Sequence, residues 1–382
     1  MISKSYRALQ VILAGAAAFF FLHAFIGSSV QVSWPKQLPS LSRGVFNSRT
    51  FDHIKNETLG FQHIYAIGLR ERTDKHDFLS LSSALSGFKI DWIDGVHPDS
   101  LSQKAMPNGL NMETTTLTII ASWRAHMNAL IKVVESSDAT ALILEDDADW
   151  DVNIKSQLIE FARGLHTVQG STKVTREAPY GTDWDVLWIG TCLTGPVSNE
   201  THFYAIPNDP TVASVKQRGG AIGIPDRWQE DFPEDSTRYI YQAETGCCTY
   251  GYAVTSRGAR KILASLSIDH LEISVDNALG NMCGGINGRP RIDCYSPSPG
   301  LIGTYKRAGP SSRDSDIETY DASNIHEERS WNMVYSARRN VHRLVAGEKT
   351  FHNQWREAPE PWQMTEVDLE DFKYPEGFLV DL

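Results

Sequence analysis

The longest apolar run, residues 8–27 (ALQVILAGAAAFFFLHAFIG), is interrupted only by Gln10 and His23. At about 1.5 Å per helical residue it matches a hydrocarbon core of about 30 Å. Lys4 and Arg7 precede it, and no basic residue follows before Lys36. The positive-inside rule therefore predicts a single-pass anchor with residues 1–7 cytosolic and the rest across the membrane. A signal peptide cleaved near Gly27 and Ser29 is the competing expectation. Residues 28–60, rich in Ser, Pro, Lys and Asn, read as a stem.

Beyond the stem the pattern alternates between short apolar runs and helical stripes. Strands are expected at residues 63–69, 89–94, 140–144, 185–189 and 250–255. Helices are expected at 75–85, 115–135, 256–267 and 272–282. The second helix carries its stripe at Ile120, Trp123, Met127, Leu130, Ile131 and Val134. Ser256 is the expected N-cap of the third. Residues 191–245, dense in Gly, Pro and charge, have no readable period, and the chain turns polar and irregular after Pro299.

Strands alternating with helices predict an α/β fold with a mostly parallel, mixed sheet. Its ligands belong beyond the carboxyl ends of the strands. The polar residues at those ends are Arg70 and Arg72, Asp94, and Glu145 to Asp147.

Composition sharpens this picture. With 36 Lys+Arg against 47 Asp+Glu the net charge is −11, which lacks the basic footprint of a nucleic-acid binder. Five cysteines are too few for a disulfide scaffold, but in an oxidising compartment they allow two bridges and one thiol. Cys283 and Cys294 are spaced to close a short loop, and the adjacent Cys247 and Cys248 are expected to pair elsewhere.

The stretch ALILEDDADWD, residues 141–151, places five acids within seven positions directly after an apolar strand. Crowded carboxylates repel one another, and a hard divalent cation relieves them through oxygen ligands. Spacing alone equally admits a solvated turn, partners for the following helix dipole, or a structural calcium site.

The segment resembles the acidic motif of glycosyltransferase family 25, an apolar strand followed by LEDDA or a close variant. Residues 63–74 (HIYAIGLRERTD) resemble that family's opening strand and basic turn. Residues 185–190 (DVLWIG), after Trp184, resemble its tryptophan-aspartate strand. Residues 250–263 (YGYAVTSRGARKIL) resemble a later segment, and Val275-Asp276 the aspartate after it. The four pieces fall in order over residues 61 to 300. The family's asparagine in the opening strand is Gly68 here, and its histidine segment is replaced by residues 114–126, keeping His126.

The resemblance implies a type A glycosyltransferase domain over residues 61–310, followed by a C-terminal extension, 311–382. It implies Glu145 and Asp147 as ligands of Mn²⁺ or Mg²⁺, Asp146 on the ribose or sugar, and Asp149 as a further acid. Arg70, Arg72 and Asp94 are expected at the nucleotide. Inversion needs a base for the acceptor proton; Asp276 leads and Glu244 is second. The expected activity moves galactose from a UDP-sugar to a glycan or glycoprotein, in the Golgi or endoplasmic reticulum membrane or in secreted form. A lumenal or secreted binding protein that keeps the fold without turnover is the alternative. A metal-dependent phosphohydrolase is disfavoured, because no HxH pair supplies nitrogen ligands. His126, Trp184 and Trp188 are expected in the core.

Overall fold

The computed structural model describes residue 46, residues 49–218 and residues 223–382. The expected cytosolic tail and anchor, 1–27, and most of the stem lie outside those residues. Among the described residues no helix is long and apolar enough to cross a membrane.

A ten-stranded mixed sheet organises the chain. Its strands are β1 (His63–Gly68), β2 (Asp91–Asp94), β3 (Thr140–Glu145), β5 (Val186–Gly190), β6 (Leu193–Pro196), β7 (His202–Ile206), β8 (Arg238–Cys247), β9 (Gly251–Thr255), β10 (Cys294–Ser298) and a C-terminal strand, Phe378–Asp381. The order runs from the C-terminal strand through β7, β8, β10, β5, β9, β3 and β1 to β2, with β6 also on β8. Only β1/β2, β1/β3 and β10/β5 pair in parallel. Because β9 runs antiparallel between β3 and β5, those two strands nonetheless point the same way.

Side chains alternate across the sheet with period two. Tyr65, Ile143, Val186 and Trp188 enter one core with helices α2 (Leu117–Glu135), α4 (Ser256–Leu263) and α5 (Val275–Gly284). Ile64, Leu142, Leu187 and Ile189 enter the other, with α1 (Thr73–Leu85) and α3 (Ile154–Val168). Both faces are therefore covered, which is why the central strands read as continuous apolar runs. Fully buried Trp184 and Trp188 are core residues, as expected. Each such side chain contributes about 1.5–3 kcal/mol of burial.

Several expectations need correction. The end of the expected stem belongs to the core, since Phe51, Ile54 and Leu59 are buried against α3 and its neighbours. Residues 311–382 are not an appendage: the C-terminal strand pairs with β7 at one edge of the sheet. The cap of α4 is Thr255, whose hydroxyl accepts the Gly258 N–H at 2.9 Å, rather than Ser256. In α2, Ile120, Trp123, Met127 and Leu130 are buried as expected, but Val133 is the buried residue of the last turn while Ile131 and Val134 are half-buried. Helix α3 was not expected at all. Two disulfides form, Cys192–Cys248 and Cys283–Cys294, leaving Cys247 as the thiol.

Candidate active-site cleft

β1, β2 and β3 end side by side, with Gly68 opposite Asp94 and Ile67 opposite Glu145. A cleft with a cavity volume of about 140 Å³ opens beyond these carboxyl ends. Its floor includes Gly68, Leu69 and Gly95, and α2 supplies Thr118, Ser122 and His126 as one wall. The acid turn Glu145-Asp146-Asp147 forms another wall, and residues 314–317 close the far side. That closing segment is fastened at several points, among them the 2.9 Å contact of Asp314 with His326 Nε2. The Thr118 hydroxyl donates to the Ile317 carbonyl at 2.7 Å, and the Asp316 carboxylate accepts Lys75 Nζ at 2.9 Å and the Arg72 guanidinium.

Gly68 owes its identity to the acid turn. A Cβ there would lie 2.9 Å from the Trp92 ring and 3.0 Å from Asp146 Cβ. A glycine at this position thus makes room for Asp146.

Each acid of the turn already has a partner. Glu145 Oε1 accepts the Thr249 hydroxyl at 2.6 Å and lies 3.5 Å from His126 Nε2. Asp146 Oδ1 accepts Lys75 Nζ at 2.8 Å. Asp147 Oδ2 accepts Lys306 Nζ and the Thr304 hydroxyl, both at 2.9 Å. Burial raises the Asp146 carboxyl to about 6; Lys75 opposes the rise and Asp147 adds to it. Burial also works against charge on Asp147, but Lys306 and Lys75 outweigh it and hold that carboxyl well below its usual range. Lys75 is itself desolvated, and Asp147, Asp146 and Asp316 more than restore its proton affinity.

The turn is held from beneath by the C-terminal region. Strand β4 (Ala148–Trp150) leaves the main sheet and pairs with β11 (Ile302–Lys306), with Thr304 opposite Ala148. The buried Arg338 guanidinium donates to the carbonyls of Asp146 at 2.8 Å and Ala148 at 3.0 Å. It also lies against the Phe78 and Tyr305 rings. Asp149, fully buried, faces this support and not the cleft. It accepts the hydroxyls of Ser330 and Ser336 and the Arg338 N–H at 3.2 Å. Burial raises its carboxyl despite Arg338. Asp151 is likewise buried, and desolvation lifts it to about 7.

The remaining expected residues scatter. Arg70 and Asp94 form an exposed two-pronged pair with each other, at 2.7 and 2.6 Å. Arg72 does reach the cleft margin, bound to Asp74 and Asp316. Asp276 Oδ2 accepts the Cys248 N–H at 2.9 Å, one residue from Thr249 and hence close to Glu145. Glu244 accepts the Ser198 hydroxyl instead. Neither carboxylate lines the cleft. His126 is 2 % exposed and bonds Tyr252 OH at 3.0 Å, as a core histidine would, yet its ring also faces Glu145. Lys75, Thr304, Lys306, Asp316 and Arg338 escaped sequence reading. Lys75 had one signal, its position one helical turn after Arg72 in the basic turn.

Oxygen ligands for a divalent cation are present, but their arrangement does not fit one. An ammonium within 3 Å already neutralises each of Asp146 and Asp147. Among the described residues the one group of three ligating side chains that converge is Cys192, Cys247 and Cys248, of which two are disulfide-bonded. No protein-family model matches the chain, and no curated protein matches it either.

Proposed function

We propose that the chain is a glycosyltransferase that moves a sugar, galactose by the resemblance, from a UDP-sugar to a glycan or glycoprotein. One observation carries the reading. Gly68, Gly95, the acid turn and Lys75 line a single cleft beyond parallel β1, β2 and β3, and Arg72 lines the recess that adjoins it at Lys75. This is where open α/β sheets bind nucleotides. Cationic groups there would balance the charge that develops on a leaving diphosphate. Asp276 is favoured as the base because the Cys248–Thr249 link ties it to Glu145; Glu244 has no such link. The apolar run at residues 8–27 supports action in the Golgi or endoplasmic reticulum membrane, or as a secreted protein if that run is cleaved.

The test is calorimetric titration of the full chain with UDP and UDP-galactose, followed by an assay for UDP release. Saturable binding, with release lost in Asp276→Asn, is the expected result. A folded protein that binds neither these nor other nucleotide sugars sinks the proposal. The second reading, a binding protein without turnover, draws support from the ammonium partners of Asp146 and Asp147. It expects binding with no UDP release under any condition.

A further inference from the structure

We infer that a nucleoside diphosphate seated in the cleft places its phosphates in the recess beside the acid turn without a divalent cation, their charge met by Lys75 and Arg72 while Lys306 neutralises Asp147; this rests on the reading proposed above. The cation pair is already anion-receptive, because the Asp316 carboxylate bridges Lys75 and Arg72. Asp316 sits on the segment that closes the cleft, and its carboxylate stands where a phosphate oxygen would bind. The recess beside the turn is lined by five cations, Arg72, Lys75, Arg307, Arg313 and Arg338, against Asp74, Asp147 and Asp314. It is therefore locally cationic in a chain of charge −11.

A cation on Asp147 would have to displace Lys306. Backbone pairing opposes that displacement: β11 lies alongside β4, and the Tyr305 N–H donates to the Asp147 carbonyl at 2.8 Å. Lys306 is thus delivered to Asp147 by a strand fixed beside the turn and not by a free loop. Fixed ammonium and guanidinium groups perform the electrostatic role of a metal without reorganising. Arg72 adds a planar fork suited to phosphate oxygens. A diphosphate entering the recess replaces Asp316 on Lys75 and Arg72, releasing the closing segment at one of its fastenings.

The experiment titrates the full chain with UDP in EDTA and again in MnCl₂, and titrates Mn²⁺ alone with its free-ion magnetic resonance signal as readout. The expected result is the same UDP affinity within about twofold in both buffers and no saturable Mn²⁺ binding. Lys75→Met and Lys306→Met each weaken UDP at least tenfold in EDTA, and Lys75→Arg restores most of the loss. UDP binding that requires Mn²⁺, or saturable Mn²⁺ binding abolished by Asp147→Asn, overturns the inference while leaving the proposed function standing. UDP binding in neither buffer removes both. The wild-type comparison needs no variant, so a misfolded substitution, detected by near-ultraviolet circular dichroism, does not blunt it.

Discussion

Replacing Arg338 with Met tests whether the C-terminal region holds the acid turn. The side chain is 2 % exposed and carries two charged-donor hydrogen bonds to the Asp146 and Ala148 carbonyls. Such bonds are worth about 1.5–3 kcal/mol each. The substitution also removes the nearby buried positive charge that opposes the effect of burial on Asp149. The terms overlap, so the expected loss is about 4 kcal/mol, read by urea unfolding followed through tryptophan fluorescence. Because both groups are buried, added salt should change the loss little. Its pH dependence has a definite sign. Burial already raises the Asp149 carboxyl, and removing Arg338 raises it further. The folded variant then binds more protons than the unfolded chain above about pH 4, so its stability falls as pH rises. The deficit should be smaller near pH 4 than at pH 7. Arg338→Lys should recover only part, since one ammonium lacks the fork that reaches both carbonyls. A loss below about 1 kcal/mol, or one independent of pH, would refute the account of the turn.

Three further outcomes are expected. Gly68→Asn should cost about 1–3 kcal/mol by overpacking against Trp92 and Asp146, and weaken UDP binding measured by calorimetry. Removing the Cys283–Cys294 bridge, whose cysteines are 11 residues apart, should lower stability by about 3 kcal/mol in chemical denaturation. Asp185 is buried, but Lys261, the Asp293 amide and Arg257 outweigh that burial and lower its carboxyl. Its contribution is present above about pH 4 and lost on acidification, so Asp185→Asn should melt below the wild type at pH 7 and approach it as the pH falls below about 4.

Much of the frame was legible in the sequence because central strands and α2 bury continuous or periodic apolar faces. Residues such as Ile143, Val186, Trp123 and Leu130 announce themselves. Helix α3 was not legible, although Ile154, Leu158, Phe161 and Leu165 keep the helical spacing. Its inward face also carries Gln157, Glu160 and His166, each hydrogen-bonded to a partner outside the helix: Thr211, Tyr204 and the Pro179 carbonyl. Those polar residues blur the contrast on which a pattern depends. Residues 191–245 failed for a related reason, since β6 and β8 are short or irregular and change register near Gly195. At the site, the acids could be found because they follow a strand directly. Their cationic partners could not: Lys306 is 159 residues from Asp147, and Arg338 is 192 from Asp146. Tertiary pairing of that kind leaves no local trace.

That separation also governs when the protein becomes competent. The acid turn is synthesised early, and the side chain that props it arrives 190 residues after Ala148. At about 5–20 residues per second, roughly 10 to 40 s of translation separate the two. Throughout that interval the nascent chain carries a carboxylate-bearing turn with neither its guanidinium prop nor its Lys306 counter-ion for much of the time. The strand Phe378–Asp381, which pairs with β7, is made later still. A message truncated between codons 318 and 337 thus encodes the cleft's walls without the guanidinium that props the acid turn.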